Sequence, residues 1–187
     1  MRRPAFDKSR IVGAFIALTV FFCACHHPVM EQSEQTLTRE QTPVLVTDSV
    51  VTLISDSGIT RYRIETPLWQ IYDRTDPPFQ EFPRGIYLEQ FDEDLQVRAS
   101  LKSDYAYYNE TSQVWVLIGN VHAMNRKGEH FETPQLNWNQ KGHRVYSDTT
   151  ISITREKITI EGIGFDSNEE MSDYTILKPT GVFPIDE

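Results

Sequence analysis

The chain has 187 residues, of which 39% are hydrophobic and 24% charged, the composition of a globular protein with a core of its own. Its formal net charge is −9, and an acidic surface repels nucleic acid and anionic headgroups, so we expect no nucleic-acid partner. Both cysteines, Cys23 and Cys25, lie near the N-terminus, so the rest of the chain cannot form an internal disulfide.

Residues 1–25 predict an export signal. Arg- and Lys-containing residues 1–10 precede an uncharged run over 11–25, which is the layout of a signal peptide. The run is shorter than the ~20 residues that span a membrane. It ends with Ala24 directly before Cys25, which resembles the lipobox of bacterial lipoproteins. We therefore expect Cys25 to be lipidated. Because Phe22 and Cys23 depart from that motif, a short uncleaved membrane anchor is the alternative.

Residues 26–43 predict a polar linker. From Met30 to Thr42 the sequence is mostly Glu, Gln, Ser and Thr, with Leu37 as the one large apolar residue inside the segment. Such a composition cannot bury enough apolar surface to order itself. The segment is therefore interpreted as a tether between a membrane and a domain over 44–187.

The domain over 44–187 is predicted to be all-β. Short segments rich in Val, Ile, Thr, Tyr and Trp alternate with turn sequences. Alternation over 151–153 and 158–160, around a charged turn at 155–157, predicts a hairpin of half-buried strands. Residues 93–108 also alternate and lack a helical stripe, so they are predicted as strands.

An internal repeat is the most informative feature of this domain. Four segments align without gaps, and in each the apolar phase shifts by one residue near the middle. A strand can follow such a shift only by bulging, bending or changing face. Repeated bent strands predict a stacked or rolled sheet whose concave side carries one large apolar side chain after another. The repeats cover 64–71, 101–108, 131–138 and 158–165.

The concave lining is the candidate site, as a groove for an apolar ligand. Alternating Ile, Phe and Trp are more often the pattern of a closed core, and periodicity does not distinguish a filled sandwich from an open one. The candidate lining residues are Ile64, Trp69, Leu101, Ala106, Tyr108, Val121, Phe131, Leu136, Trp138, Ile151, Ile153, Ile158 and Ile163.

Motifs for catalysis are missing from the sequence, which has no phosphate loop, nucleophile elbow or zinc pattern of familiar spacing. We therefore expect no enzymatic activity, no catalytic residue and no cofactor. A three-residue hairpin loop at 126–128 would place His122 opposite Glu132, with His130 diagonal to it. No third or fourth metal ligand is evident, so a polar outer face without metal is the prediction.

The chain resembles the LptC family, the periplasmic component of the lipopolysaccharide export system. The similarity runs from about Val44 to Phe183. Its most recognisable parts are residues 61–66, before the first long segment, and residues 116–121, which contain the family motif Gly119 and Asn120. These motifs are short, and the related bridge protein and the amino-terminal domain of the outer-membrane translocon share the repeat.

The resemblance implies a bent, open β-jelly roll of OstA-like repeats, in which the apolar lining forms a lipid groove. It implies a periplasmic protein, tethered to the inner membrane, that receives lipopolysaccharide from the inner-membrane ABC transporter complex and passes it to an LptA-like bridge protein. Acyl chains would move between apolar grooves without exposing all their CH₂ groups to water, at ~0.8 kcal/mol each. Family members often keep a transmembrane helix, which this short run does not match.

The two ends of the domain are predicted to be edge strands. Residues 44–54 and 174–182 read as strands, and neither carries edge lysines apart from Lys178. By resemblance, the first would join the periplasmic domains of the transporter and the second the bridge protein, by strand addition.

Two other function classes stay open at this point. A surface or periplasmic β-sandwich lipoprotein that binds glycan or a protein partner would show the same signal and tether, but with exposed aromatic residues on its loops. A hydrolase would require a buried carboxylate or histidine with a perturbed pKa.

Overall fold

The computed structural model of the protein describes residues 42–184. The expected signal segment 1–25 with Cys25, and the expected linker up to residue 41, lie outside the described residues. Within 42–184 the chain forms β-strands and no helix, so this part contains no helix that could cross a membrane. The eleven strands are β1 (Leu45–Asp56), β2 (Ile59–Tyr72), β3 (Phe79–Phe82), β4 (Ile86–Phe91), β5 (Val97–Ser103), β6 (Tyr105–Asn109), β7 (Val114–Asn125), β8 (His130–Asn139), β9 (Arg144–Arg155), β10 (Ile158–Asn168) and β11 (Tyr174–Pro184).

The strands form one antiparallel sheet in which the chain runs as a meander. β4 pairs with the N-terminal part of β2, and β3 pairs with its C-terminal part. In the same way, β6 and β5 pair with the two parts of β7. β3 with β4, and β5 with β6, are therefore the two parts of single bent strands. The order across the sheet follows the order in the chain.

The bends of neighbouring strands form one line of corners, which folds the sheet into two facing halves. In β7 the corner is Gly119 and Asn120, with φ of 78° and 43°, and the register to β8 shifts there. We call β4, β5 and residues 59–66, 121–125, 130–133, 150–155 and 158–163 the first half-sheet. The second half-sheet comprises β3, β6 and residues 68–72, 114–118, 135–139, 144–147, 165–168 and 174–176.

Buried hydroxyl groups recur at the corners of the first three repeats. The Oγ1–H of Thr66 is shared between the carbonyls of Gly85 at 2.8 Å and Leu68 at 3.0 Å, and Ser103 donates from Oγ to the carbonyl of Tyr105 at 2.8 Å. The Oγ1–H of Thr133 is likewise shared between the carbonyls of Thr150 at 2.7 Å and Gln135 at 3.0 Å. Each bond satisfies a backbone carbonyl where the sheet register changes. Thr66, Ser103 and Thr133 are each the third residue of their repeat, and the phase shift predicted near the middle of the repeat is the bend of the strand.

The core lies between the half-sheets and is closed by contacts from both. Tyr62 of the first half packs on Trp138 of the second, with ring centroids 5.5 Å apart. Phe131 of the first half meets Phe165 of the second at 5.6 Å. The fold is therefore the predicted all-β, jelly-roll-like arrangement.

Two local predictions from the sequence are confirmed. Ile153 lies opposite Ile160 in the β9–β10 hairpin, and His122 lies opposite Glu132 in the β7–β8 hairpin. The segment 93–108 forms a turn followed by β5 and most of β6.

Candidate functional site

Most residues of the predicted lining lie together in the interior between the half-sheets. Trp69 and Tyr108 are half-buried and pack against this core. The buried members are Ile64, Leu101, Ala106, Val121, Phe131, Leu136, Trp138, Ile151 and Ile153.

Two predicted lining residues are not brought into this interior. Ile158 is 39% exposed and Ile163 is 42% exposed. In β10 the register to β9 shifts at Gly164, whose φ is +83°, so the bend comes later than the sequence alignment placed it. Gly162 and Gly164 are buried instead, and Phe165 is the large side chain that enters the core.

A series of aromatic rings crosses the interior. Trp69 stacks on Phe82 at 5.6 Å, and Phe82 stacks on Trp115 at 5.3 Å between ring centroids. Trp115 lies 6.1 Å from Trp138, which in turn contacts Tyr62. The repeat alignment missed Phe82, which precedes a proline outside the repeats, and Trp115. The alternation of Trp115 with Leu117 was the available signal.

Little empty space remains inside. A cavity of about 30 Å³ is lined by Leu88, Leu101, Leu136 and Val145, together with Glu169 and Met171 from the loop between β10 and β11. This volume holds about one water molecule. The interior is therefore a packed core in this conformation, and an acyl chain would enter only if the half-sheets separated.

The phenols around the interior stay neutral at physiological pH. Burial and the nearby carboxylate of Glu169 raise the pKa of Tyr62 to about 12. Burial and a 2.8 Å hydrogen bond to Glu81 also raise the pKa of Tyr105. Uncharged rings fit an apolar site, because an ionised phenolate there would lose its hydration.

Gly119 and Asn120, which the sequence analysis predicted as a motif, join two corners. Asn120 donates from Nδ2 to Oδ2 of Asp104 at 2.6 Å, and the backbone N–H of Asp104 donates to the carbonyl of Gly119 at 3.0 Å. A Cβ at position 119 would lie 3.1 Å from Oδ2 of Asp104. The motif therefore positions the β5–β6 corner against the β7 corner.

The outer face of the β7–β8 hairpin carries a polar pair. Nδ1 of His122 lies 3.2 Å from Oε1 of Glu132. Within residues 42–184, no group of three or more His, Cys, Asp or Glu side chains is arranged to hold a metal ion.

The two edges of the sheet carry exposed apolar side chains. β1 pairs with β2 alone and β11 with β10 alone among the described strands, so each leaves one edge unpaired. Val51 and Leu53 on β1 are 63% and 60% exposed. Leu177 and Val182 on β11 are 61% and 63% exposed. Such edges can accept a further strand from another chain.

The family model described as "Lipopolysaccharide-assembly, LptC-related" matches residues 12–180, which is most of the chain. Among curated proteins, none matches the chain.

Proposed function

The chain belongs to the LptC-related family of lipopolysaccharide-assembly proteins, and on that premise we propose that it receives lipopolysaccharide from an inner-membrane ABC transporter and passes it to a periplasmic bridge protein. Members of this family act in lipopolysaccharide transport, as periplasmic and membrane-associated components. The observation that carries the proposal is the apolar interior between two half-sheets that are continuous only along their corners.

Opening this interior leaves the backbone ladders intact. The half-sheets are joined covalently at the corners, and no two described strands are hydrogen-bonded to each other across the opposite side, which we call the open side. Separation there exposes Leu101, Phe131, Leu136 and Trp138 but breaks no strand pairing. Acyl chains that enter would restore the burial of these side chains, at ~25 cal/mol per Å² of apolar surface.

The exposure of the aromatic side chains gives no support for a glycan-binding module. A glycan-binding lipoprotein was expected to present exposed aromatic residues on its loops. Every aromatic side chain described within residues 42–184 is buried or half-buried. This distribution favours a ligand that enters between the half-sheets.

The proposal includes the anchor and the partners. Cys25 would carry the lipid that holds the protein at the inner membrane, with residues 26–43 as the tether and 44–187 as the periplasmic domain. The free edge of β1 would continue the sheet of the transporter's periplasmic domains, and that of β11 the sheet of the bridge protein. Strand addition at both edges would align three apolar interiors into one path.

Site-specific photocrosslinking in living cells tests the lipid site. A photoreactive amino acid at Phe131, which faces the interior, should give an ultraviolet-dependent adduct with lipopolysaccharide. The same amino acid at Glu132, the next residue on the exposed face of β8, should not. Equal labelling at 131 and 132, or none at 131, would contradict the proposed groove.

A further inference from the structure

The loop over residues 168–173, which we call the mouth loop, crosses the open side. It connects β10 to β11 in the second half-sheet but contacts the first half-sheet. The carbonyl of Met171 accepts a hydrogen bond from Nδ2 of Asn125 at 2.9 Å, and that of Ser172 accepts one from Nζ of Lys127 at 3.2 Å. Glu170 forms an ion pair with Arg98 at 2.6 Å. The mouth loop therefore bridges the two halves.

The carboxylate of Glu169 joins side chains from both half-sheets. Oε1 accepts a hydrogen bond from Nε1 of Trp138 at 2.8 Å and one from the hydroxyl of Tyr62 at 3.4 Å. Oε2 lies 2.9 Å from Nδ1 of His143. Trp138 and Tyr62 belong to opposite halves, so one carboxylate spans the open side above the interior.

Met171 is the apolar part of this closure. It is 4% exposed and lines the small cavity beside Leu88, Leu101 and Leu136. Its φ of +52° is unusual for a residue with a Cβ and turns its side chain inward at a cost in backbone strain. Met171 therefore covers part of the small cavity from the side of the mouth loop.

The mouth loop is held together by its own bonds. The Oδ1 of Asn168 accepts hydrogen bonds from the backbone N–H of Ser172 at 2.9 Å and of Asp173 at 3.2 Å. The N–H of Met171 donates to the carbonyl of Asn168 at 3.0 Å. Its bonds to the first half-sheet all use side chains of that half, so the loop can leave as a unit without breaking a backbone ladder.

We propose that the mouth loop is a lid that controls entry of acyl chains into the interior. This inference rests on the proposed function, since it gives the regulation of the same site. The lid is closed by Glu169, Glu170 and Met171, and its polar bonds can be exchanged for bonds to water when it opens. Acyl chains would then occupy the space that Met171 leaves.

A covalent bridge across the open side tests the lid. The full-length protein with Cys23→Ser and Cys25→Ser has no other thiol. Arg98→Cys and Glu170→Cys, joined by a short bismaleimide, would fix the loop to the first half-sheet. Arg144→Cys and Asp166→Cys, joined in the same way, form the control, because this ion pair links neighbouring strands without crossing the open side.

The probes are a fluorescent C12 fatty acid and purified lipopolysaccharide. Uptake of both by the 98–170 bridged protein should be at least about tenfold slower than by its unbridged form, as for a locked lid. The 144–166 bridge should change neither rate. Equal uptake with and without the 98–170 bridge would overturn the lid.

The two proposals fail in different ways. If the unbridged protein takes up the fatty acid, but not lipopolysaccharide, and the bridge blocks this uptake, the lid stands and the proposed function is wrong. Uptake of neither probe by the unbridged protein would overturn both. A second variant, Glu169→Ala with Met171→Ala, should take up the fatty acid faster than the wild type. An unchanged rate in a folded double variant would also contradict the lid.

Discussion

Asn120 donates a hydrogen bond to the carboxylate of Asp104 at 2.6 Å and thereby connects the corners of two neighbouring bent strands. The preceding residue, Gly119, has a positive φ and lies against the same carboxylate. The most recognisable short motif of the sequence therefore has a structural role at the line of corners. It lies outside the interior that would hold a lipid.

Gly119→Ala should destabilise the domain by roughly 1–3 kcal/mol, because an alanine at φ +78° is strained and its Cβ crowds Asp104. Urea denaturation of the purified protein measures the change. Gly128→Ala should cost less, because its φ of +76° is as strained but no atom lies within 4 Å of the added Cβ. Equal losses would contradict a special role for the corner glycine.

Phe131→Ala should lower the free energy of unfolding by about 3–5 kcal/mol, since the ring is 2% exposed and meets Phe165 and Tyr174. Ile163→Ala should cost less than about 1 kcal/mol, because this side chain is 42% exposed. Chemical denaturation measures the loss of unfolding free energy in both variants. A large loss at Ile163 would show that it belongs to the core after all.

A lysine substitution at one edge of the sheet should weaken the association with one proposed partner and leave the association with the other unchanged. Val51→Lys should weaken association with the transporter, and Leu177→Lys association with the bridge protein, because a charged side chain on an edge strand discourages strand addition. Both positions are more than half exposed, so the fold should be unaffected. Co-purification from cells measures each association. Loss of the same partner in both variants would rule out the two-ended arrangement.

The alkaline titration of Tyr62 should report whether the mouth loop covers the open side. Its folded pKa of about 12 exceeds the ordinary 10.0, so the neutral phenol stabilises the folded state. This contribution is fully present below pH 10 and is lost as the pH rises through about 12. Because the pKa of Tyr105 is raised as well, absorbance at alkaline pH should show a smaller late-ionising step in Tyr62→Phe than in the wild type. An unchanged late step in that variant would assign it to another tyrosine.

The bends could be predicted from the sequence because each repeat carries its own local signal. The shift in apolar alternation next to Thr66 or Thr133 can be recognised in the sequence without knowing what the strand packs against. The hairpin registers followed for the same reason, since short turns fix which residues face each other. The bend in the fourth repeat was misplaced because Gly164 can adopt a positive φ and moves the shift along β10.

The mouth loop could not be predicted in this way. Glu169 and Met171 read as ordinary members of a polar turn, and their partners lie far away in the chain, such as Tyr62 on β2. Whether the interior is a core or a groove is likewise a matter of whether the half-sheets separate, which local periodicity does not record.

The corners of the bent strands are held in two different ways along the domain. The corners at Thr66, Ser103 and Thr133 are fixed by buried hydroxyl bonds, whereas the β10 corner has Gly162 and Gly164 and no such bond from its own repeat position, Ile160. Glycine lets a neighbouring strand approach closely where a side chain would keep it away. At Gly162 an added Cβ would lie 2.8 Å from the carbonyl oxygen of Lys178 on β11. Toward the N-terminus the bends are therefore fixed by hydroxyl bonds, and toward the C-terminus by the close packing of two strands.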